Sequence, residues 1–306
     1  MPSLRDYRDR IKSVTSTRKI TSAMKMVAAS KLRRTQEQAQ SAQPYAKAMA
    51  GMLARVSGNL NEDLEKAPKL LVGTGNDEKH LLIVVTADRG LCAGFNANVI
   101  KEALGHIADL ESQGKKVSLI CIGRRGYTAL SRIHEEKIVH YFDDVIGSDK
   151  IEYAKADEVA QMVLSRFDLS EFDVCSLLFN QFVSVLVQSP SMMQLIPFEL
   201  ESKEGEGGFQ DGARYEEETG YLYPYSYEPS EDEILDALLP RNVGVQIFSG
   251  LLDSAAGEHA ARMTAMDNAT RNAGDMINDL TLQYNRARQA YITTELIEII
   301  AGAESL

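Results

Sequence analysis

Tryptophan is missing from this 306-residue chain, and only 9 Phe and 12 Tyr make up its aromatic complement. So few large rings suit long helices better than a sheet sandwich. Cysteine is nearly missing too. Cys92, Cys121 and Cys175 are odd in number and far apart, and no C-x-x-C or Cys/His cluster accompanies them. Neither a disulfide framework nor a zinc site is indicated, and a reducing compartment fits. No stretch reaches 18 apolar residues, which excludes a transmembrane helix. The five His residues share no motif, and nothing pairs a nucleophile with a base. No catalytic, cofactor-binding or metal-ligating residue is assigned on this evidence. Proline stops at Pro240, and neither Gly nor Pro occurs between Ser3 and Gln43. The stretch near the start therefore lacks helix breakers, and the last stretch lacks proline.

What is present begins with charge. The net charge is −11, but it is unevenly spread. Met1 to Arg34 holds ten Lys/Arg against Asp6 and Asp9, whereas Glu199 to Asp236 holds thirteen Asp/Glu against Lys203 and Arg214. The basic start faintly resembles an organellar transit peptide, but Asp6, Asp9 and a helical pattern from Leu4 argue against that. It could also be a nucleic-acid footprint. No interleaved aromatics or reader motif accompany it, so a solvated or protein-docking face is preferred.

The last quarter organises the chain. Met263, Met266, Thr270, Ala273, Ile277, Leu280, Tyr284, Ala287, Tyr291 and Thr294 recur at alternating steps of three and four. That is the seam of a helix packed lengthwise on another. Gly274 lies off it. About 55 helical residues would extend about 80 Å, so either a helical bundle or an extended two-helix coiled coil is implied. The partner is at the start. Leu4, Tyr7, Ile11 and Val14 hold the same spacing, Arg18, Thr21 and Lys25 interrupt it, and Ile20, Met24, Val27 and Leu32 form an adjoining apolar stripe. Ser3 with Asp6 is close to a capping box. Pro44 kinks or ends this helix, and the pattern resumes through Tyr45, Met49, Leu53 and Val56.

Between these ends the period changes. Residues 60–79 read as a polar linker. Short apolar runs at His80–Val85, Val117–Ile122, Lys137–Phe142, Phe172–Phe179, Val183–Val187 and Met192–Pro197 read as strands. Phe95–Ser112, Arg124–Arg132 and Ala154–Phe167 read as helices. The alternation predicts an α/β layer with a mostly parallel, Rossmann-like sheet and an antiparallel edge. The loop Thr86–Asn96 after the first strand contains two glycines but matches neither common phosphate-binding pattern. Residues 201–228 form an acidic, Gly- and Tyr-rich excursion. A helix opens at Pro229–Glu233, and Pro240 either kinks it or starts the next one. The expected organisation is therefore a long antiparallel coiled coil of residues 1–58 and 229–306, with an α/β domain inserted at 75–200.

Three segments carry a family resemblance. Leu4-Arg5 through Ile20-Thr21-Ser22-Ala23-Met24-Lys25-Met26-Val27-Ala28-Ala29-Ser30-Lys31-Leu32 resembles the N-terminal helix of the gamma subunit of F-type ATP synthases. Asp88-Arg89-Gly90-Leu91-Cys92-Ala93-Gly94-Phe95-Asn96 resembles that family's D-R-G-L-C-G-G-[FL]-N segment, with Ala93 where Gly is usual. Ile292-Thr293-Thr294-Glu295-Leu296-Ile297-Glu298-Ile299-Ile300-Ala301-Gly302-Ala303-Glu304-Ser305 is similar to its C-terminal signature. Met263–Ala269 resembles the mitochondrial and alpha-proteobacterial branch.

The resemblance implies a non-catalytic rotor shaft. Its partners would be three alpha and three beta subunits, the epsilon and delta subunits and a membrane c-ring. It would lie peripherally on the cytoplasmic face of a bacterial inner membrane, with no cofactor, no nucleic acid and no membrane insertion of its own. It also implies contacts with beta subunits at Met24 and Lys25, at Arg288, Gln289, Thr293 and Glu295, and at Arg262 and Met266, the last two near Met24. Ile292, Leu296, Ile299 and Ile300 would form the shaft tip. If Met24 lies beside Arg262, residue i meets a residue near 286 minus i, and Met1 ends near Tyr284 or Asn285. The alternative is an α/β nucleotide-binding protein that a coiled coil merely dimerises.

Overall fold

A computed structural model describes residues 3–59, 68–147, 150–198 and 231–304. The acidic excursion at 201–228 lies outside the described residues. The chain divides into two compact units, Met1–Ser30 with Arg262–Leu306, and Lys31–Ala261.

Helix α1 runs Leu4–Asn59. Its first turn is closed reciprocally. Ser3 N donates to Asp6 Oδ2 at 2.8 Å, and Asp6 N donates to Ser3 Oγ at 3.2 Å. These bonds hold the Asp6 carboxyl below its ordinary range and satisfy two of the orphan N–H groups at the helix start. Pro44 does not end the helix. Its ring is exposed, so the lost hydrogen bond falls on the solvent side, where water replaces it. The stretch read as a linker contains a short helix, α2 (Lys69–Val72). Leu71 there is buried with Met49, Leu53, Leu235 and Leu239, and that apolar contact gives a four-residue helix its stability.

The inserted layer is a five-stranded sheet of order β3-β2-β1-β4-β5. Its strands are β1 (Lys79–Val85), β2 (Lys116–Ile122), β3 (Ile138–Phe142), β4 (Val174–Phe182) and β5 (Gln188–Ile196). Strands β1 to β4 are parallel and β5 is antiparallel to β4. Helices α3 (Phe95–Ser112), α4 (Arg124–His134) and α5 (Tyr153–Asp168) make the crossovers. Alternation along β1 sorts the core. Leu82 and Val84 pack with Val99, Ala103 and Ile107 of α3 and Leu130 of α4. Leu81, Ile83 and Val85 join Val159 and Val163 of α5 and Val243, Ile247 and Leu251 of the last helix. A sheet covered on both faces needs apolar residues at every position of its central strands. The run Leu81–Val85 is buried throughout.

The expected strand at Val183–Val187 is instead the turn of the β4–β5 hairpin. Ser184 N donates to Val187 O at 3.0 Å, Val187 N donates to Ser184 O at 3.2 Å, and Ser184 Oγ accepts from Val187 N at 3.1 Å. A serine offering both backbone and side-chain partners closes the chain on itself, and that local bonding outweighs the β-propensity of three branched residues.

Helix α6 runs unbroken from Glu231 to Glu304 through Pro240. Buried Leu239 and Val243 flank the proline, so packing holds the axis where one backbone bond is missing. Farther along, burial pushes the half-buried Asp253 carboxyl up to about 6.

Candidate functional site

The unit formed by Met1–Ser30 and Arg262–Leu306 contains every residue assigned to partner contact. Its two helical segments run antiparallel and meet through three polar pairs. Arg8 donates to Tyr284 Oη through Nη2 at 2.8 Å and Nε at 3.0 Å. The hydroxyls of Thr21 and Thr270 lie 2.8 Å apart. Lys25 Nζ donates to Asp267 Oδ1 at 2.6 Å, and Arg271 lies 3.4 Å from the other oxygen of Asp267. Lys25 holds the Asp267 carboxyl below its ordinary range, helped by Arg271.

These pairs correct the expected register. Lys25 was to meet a residue near 261; it meets Asp267. Met24 therefore lies one turn and a half from Arg262, which at the same spacing falls opposite about Ser30. The expected pairing rested on family position alone, whereas the observed one follows the hydrogen-bonding capacity of Thr21 and Lys25. The seam also does not step aside where those residues interrupt its apolar pattern. Thr21 is buried and Lys25 half-buried, followed by buried Ala28, while Ile20 and Val27 of the adjoining stripe stay exposed.

On α6 the seam is occupied as its spacing predicts as far as Ala287. Met266 and Ala273 are buried, and Met263, Thr270, Ile277, Leu280, Tyr284 and Ala287 are half-buried. From Arg288 to Ala301 every residue is exposed. Tyr291 and Thr294, though in seam positions, belong to that exposed stretch. Arg288, Gln289, Thr293 and Glu295 lie there, as do Ile292, Leu296, Ile299 and Ile300, each 51–67 % exposed. Of the other assigned residues, Met24 and Arg262 are half-buried and Met266 is buried. The pairing residues Arg8, Asp267, Thr270 and Tyr284 were not singled out as functional. A signal was there: Arg8 precedes Lys25 by 17 positions, and Tyr284 follows Asp267 by the same number.

In the α/β unit, the loop after β1 occupies the carboxyl end of the parallel strands, where such sheets take ligands. Here its polar groups are turned inward. Ala87 N donates to Asn96 Oδ1 at 2.9 Å, and Asn96 Nδ2 donates to Cys92 Sγ at 3.2 Å. The first N–H groups of α4 are also taken. Arg124 N donates to Asp88 Oδ1, Arg125 N to Ala87 O, and Gly126 N to Thr86 Oγ1, at 2.8–3.1 Å. A phosphate would need those donors. Burial raises the Asp88 carboxyl, and Asp143 and Asp144 nearby reinforce the shift. Gly123 is required where β2 meets α4. Its φ is +95°, and a Cβ there would stand 1.9 Å from Thr86 O. Ala93, where the family usually has Gly, has a φ of +49°, in the left-handed region that Gly enters without strain. Among the described residues no group of His, Cys, Asp or Glu is arranged to hold a metal ion, and no helix is long and apolar enough to cross a membrane.

The family whose profile matches residues 3–306 is described as ATP synthase. The ATP synthase gamma chain of Sinorhizobium medicae is 49% identical over the whole length of both chains. That of Acidiphilium cryptum is 51% identical, also over the whole length of both. Among solved structures, a chain of the Euglena gracilis mitochondrial ATP synthase (OSCP/F1/c-ring, rotational state 3) aligns with a TM-score of 0.64 at 16% identity, covering 99% of this chain and 94% of that one. That last likeness concerns the fold alone. A profile matching nearly every residue, and full-length relatives at half identity, place this chain in the ATP synthase gamma chain family.

Proposed function

We propose that the chain is the central shaft of a proton-driven rotary ATP synthase, coupling rotation of a membrane c-ring to synthesis or hydrolysis of ATP on three catalytic beta subunits, and that it has no catalytic residue of its own. It would lie peripherally on the cytoplasmic face of a bacterial inner membrane, in contact with three alpha, three beta, the epsilon and the delta subunits. The observation that carries this reading is the end of α6. A helix with large apolar side chains on several faces is normally buried, yet Ile292, Leu296, Ile297, Ile299 and Ile300 are all exposed. No Lys or Arg follows Arg288, so no cation obstructs a tip turning inside an apolar sleeve. Covering what remains exposed of those five side chains is worth roughly 1–2 kcal/mol each before ordering costs.

In this reading Arg288 and Gln289 mark the polar rim of that collar, and Thr293 and Glu295 make polar contacts just above it. Met24, Lys25, Arg262 and Met266 belong to a lower contact region, which includes the exposed apolar side chains of Ile20, Met26 and Val27. The self-occupied loop after β1 and the filled start of α4 support a structural role over nucleotide binding for the α/β unit.

Deleting Gln289 to Leu306 tests the assignment. Helicity of the isolated chain should fall only in proportion to the residues removed, while assembly with the ring and ATP-driven proton pumping decline. A truncated chain that assembles and couples at wild-type levels would overturn the collar.

A further inference from the structure

Helix α1 had a choice of faces at this point. Ile20, Met26 and Val27 offer large apolar side chains, and hydrophobic packing alone would turn them inward. The helix instead buries Thr21 and half-buries Lys25, leaving those three 57–65 % exposed, although Met24 is half-buried and Leu32 buried. Polar residues on a seam weaken it but select one alignment, because only one alignment gives them partners.

In the α/β unit the same two helices are fixed by burial of Met49 and Leu53 with Leu235 and Leu239, but within Met1–Ser30 and Arg262–Leu306 the apolar seam could not make the selection unaided. Met263, Met266, Ala273, Ile277 and Leu280 are unbranched, small or simply aliphatic, and recur every heptad, so a slide of seven residues exchanges one apolar contact for another. The same slide leaves Lys25 facing Gly274 or Ala260, and Thr21 facing Ile277 or Met263, none with a side-chain oxygen. Arg8 moved seven positions one way would meet Tyr291, a second phenol, so its pair does not discriminate in that direction. Each hydroxyl also faces a carbonyl of its own helix, Thr270 Oγ1 that of Met266 at 2.7 Å and Thr21 Oγ1 that of Arg18 at 3.1 Å, and either can supply the proton between them. Asp267 receives Lys25 from across the pair and Arg271 from its own helix.

We infer that Lys25–Asp267, with Thr21–Thr270 one turn away, is the register lock of this unit of the shaft, resisting a local slide of the two helical segments past one another under torque. The inference rests on the shaft reading for its purpose, but the lock itself is a property of this chain. Lys25 thereby has a positioning role within its own chain besides any contact with a neighbour.

The test reads register directly in the isolated full-length chain. Three cysteine pairs report the possible alignments under mild oxidation: Thr21→Cys with Thr270→Cys for the native one, and Thr21→Cys with Ile277→Cys or Met263→Cys for the two slipped ones. Each set lacks the threonine rung, so Lys25–Asp267 holds the register, helped by Arg8–Tyr284 against a slide in one direction. The native cross-link should dominate in the parent. Lys25→Asp places two carboxylates opposite each other and should shift cross-linking toward a slipped pair by about fivefold, the scale of an exposed ion pair lost and reversed. Asp267→Lys should do the same, and Lys25→Asp with Asp267→Lys together should restore the native pattern. In the assembled complex carrying native Thr21 and Thr270, the single changes should lower proton pumping relative to ATP hydrolysis, and the exchange should recover part of it. Cross-linking that stays native in both single variants, or a slipped pattern that the exchange leaves in place, would overturn the lock. Failure of the shaft reading would appear separately, as a wild-type chain that does not assemble with a ring.

Discussion

At the scale of residues, the instructive groups are those whose environment contradicts their chemistry. Asp253 is an acid on a helix face that packing has half-buried, and burial alone pushes its carboxyl up to about 6. The folded state therefore binds its proton more tightly than the unfolded chain does. That contribution to stability is fully present below the ordinary carboxylate range and is lost as pH rises through about 6. Asp253→Asn should accordingly stabilise the chain at pH 7–8, by about 1–2 kcal/mol once solvent screening of a partly exposed group is allowed for. The gain should vanish near pH 4. Thermal unfolding of both forms across that range checks the sign: a variant less stable than the parent at pH 8 would mean that Asp253 has a favourable partner when charged. Lys25 is the opposite case, a basic residue in a seam position whose Nζ stands 2.6 Å from Asp267 Oδ1.

At the scale of elements, the two faces of α1 should respond differently to the same kind of change. Ile20 and Val27 are exposed, so Ile20→Gln with Val27→Gln should leave the stability of the isolated chain within about 0.5 kcal/mol. Met266→Ala, in the seam of α6, should cost about 2 kcal/mol or more, because it removes a buried side chain between two helices that cannot collapse onto the gap. In the assembled complex the order should reverse for binding, with the polar stripe weakening assembly more than the seam variant does. Thermal shift and co-purification measure the two quantities separately, and equal destabilisation of the isolated chain by both changes would mean that the stripe is packed. The hairpin turn at Val183–Val187 shows how local bonding redirects an element. Three branched residues read as strand, but Ser184 offers the chain a shorter closure.

At the scale of the whole molecule, a sheet of nucleotide-binding order is joined to long helices, and polar groups at the carboxyl ends of β1 and β2 are bonded within the chain. Thr86, Ala87 and Asp88 occupy the first donors of α4, and Asn96 ties down the loop above β1. The purified chain should therefore hydrolyse no ATP and bind it no more tightly than about millimolar, near −4 kcal/mol. Isothermal titration checks this, and micromolar binding abolished by Arg89→Ala would restore the nucleotide-binding alternative. Belonging to a family of ATP synthase gamma chains does not by itself require a nucleotide site on this chain, since the proposed work is mechanical.

The sequence by itself determined the elements and the family. A breaker-free stretch near the start, a proline-free one at the end, a seam at steps of three and four, and the change to short apolar runs made the long helices, the parallel sheet and its antiparallel edge legible, because periodicity is a local property written in consecutive residues. The exposed run after Arg288 was legible as well, since an antiparallel pair of unequal segments must leave one end alone. What only the tertiary structure decided was alignment and occupancy. The register differed by about six residues from expectation because heptad seams look alike after each repeat, and the choice among them lies in a few polar pairs between residues some 250 positions apart. The occupied start of α4 could not be read from the loop after β1, because Asp88, Thr86 and Asn96 acquire their partners only when α3 and α4 are folded against β1. Pro240 and Pro44, each a local reason to break a helix, were overruled by packing on either side and by solvent access, and both are energies that no short window of sequence contains.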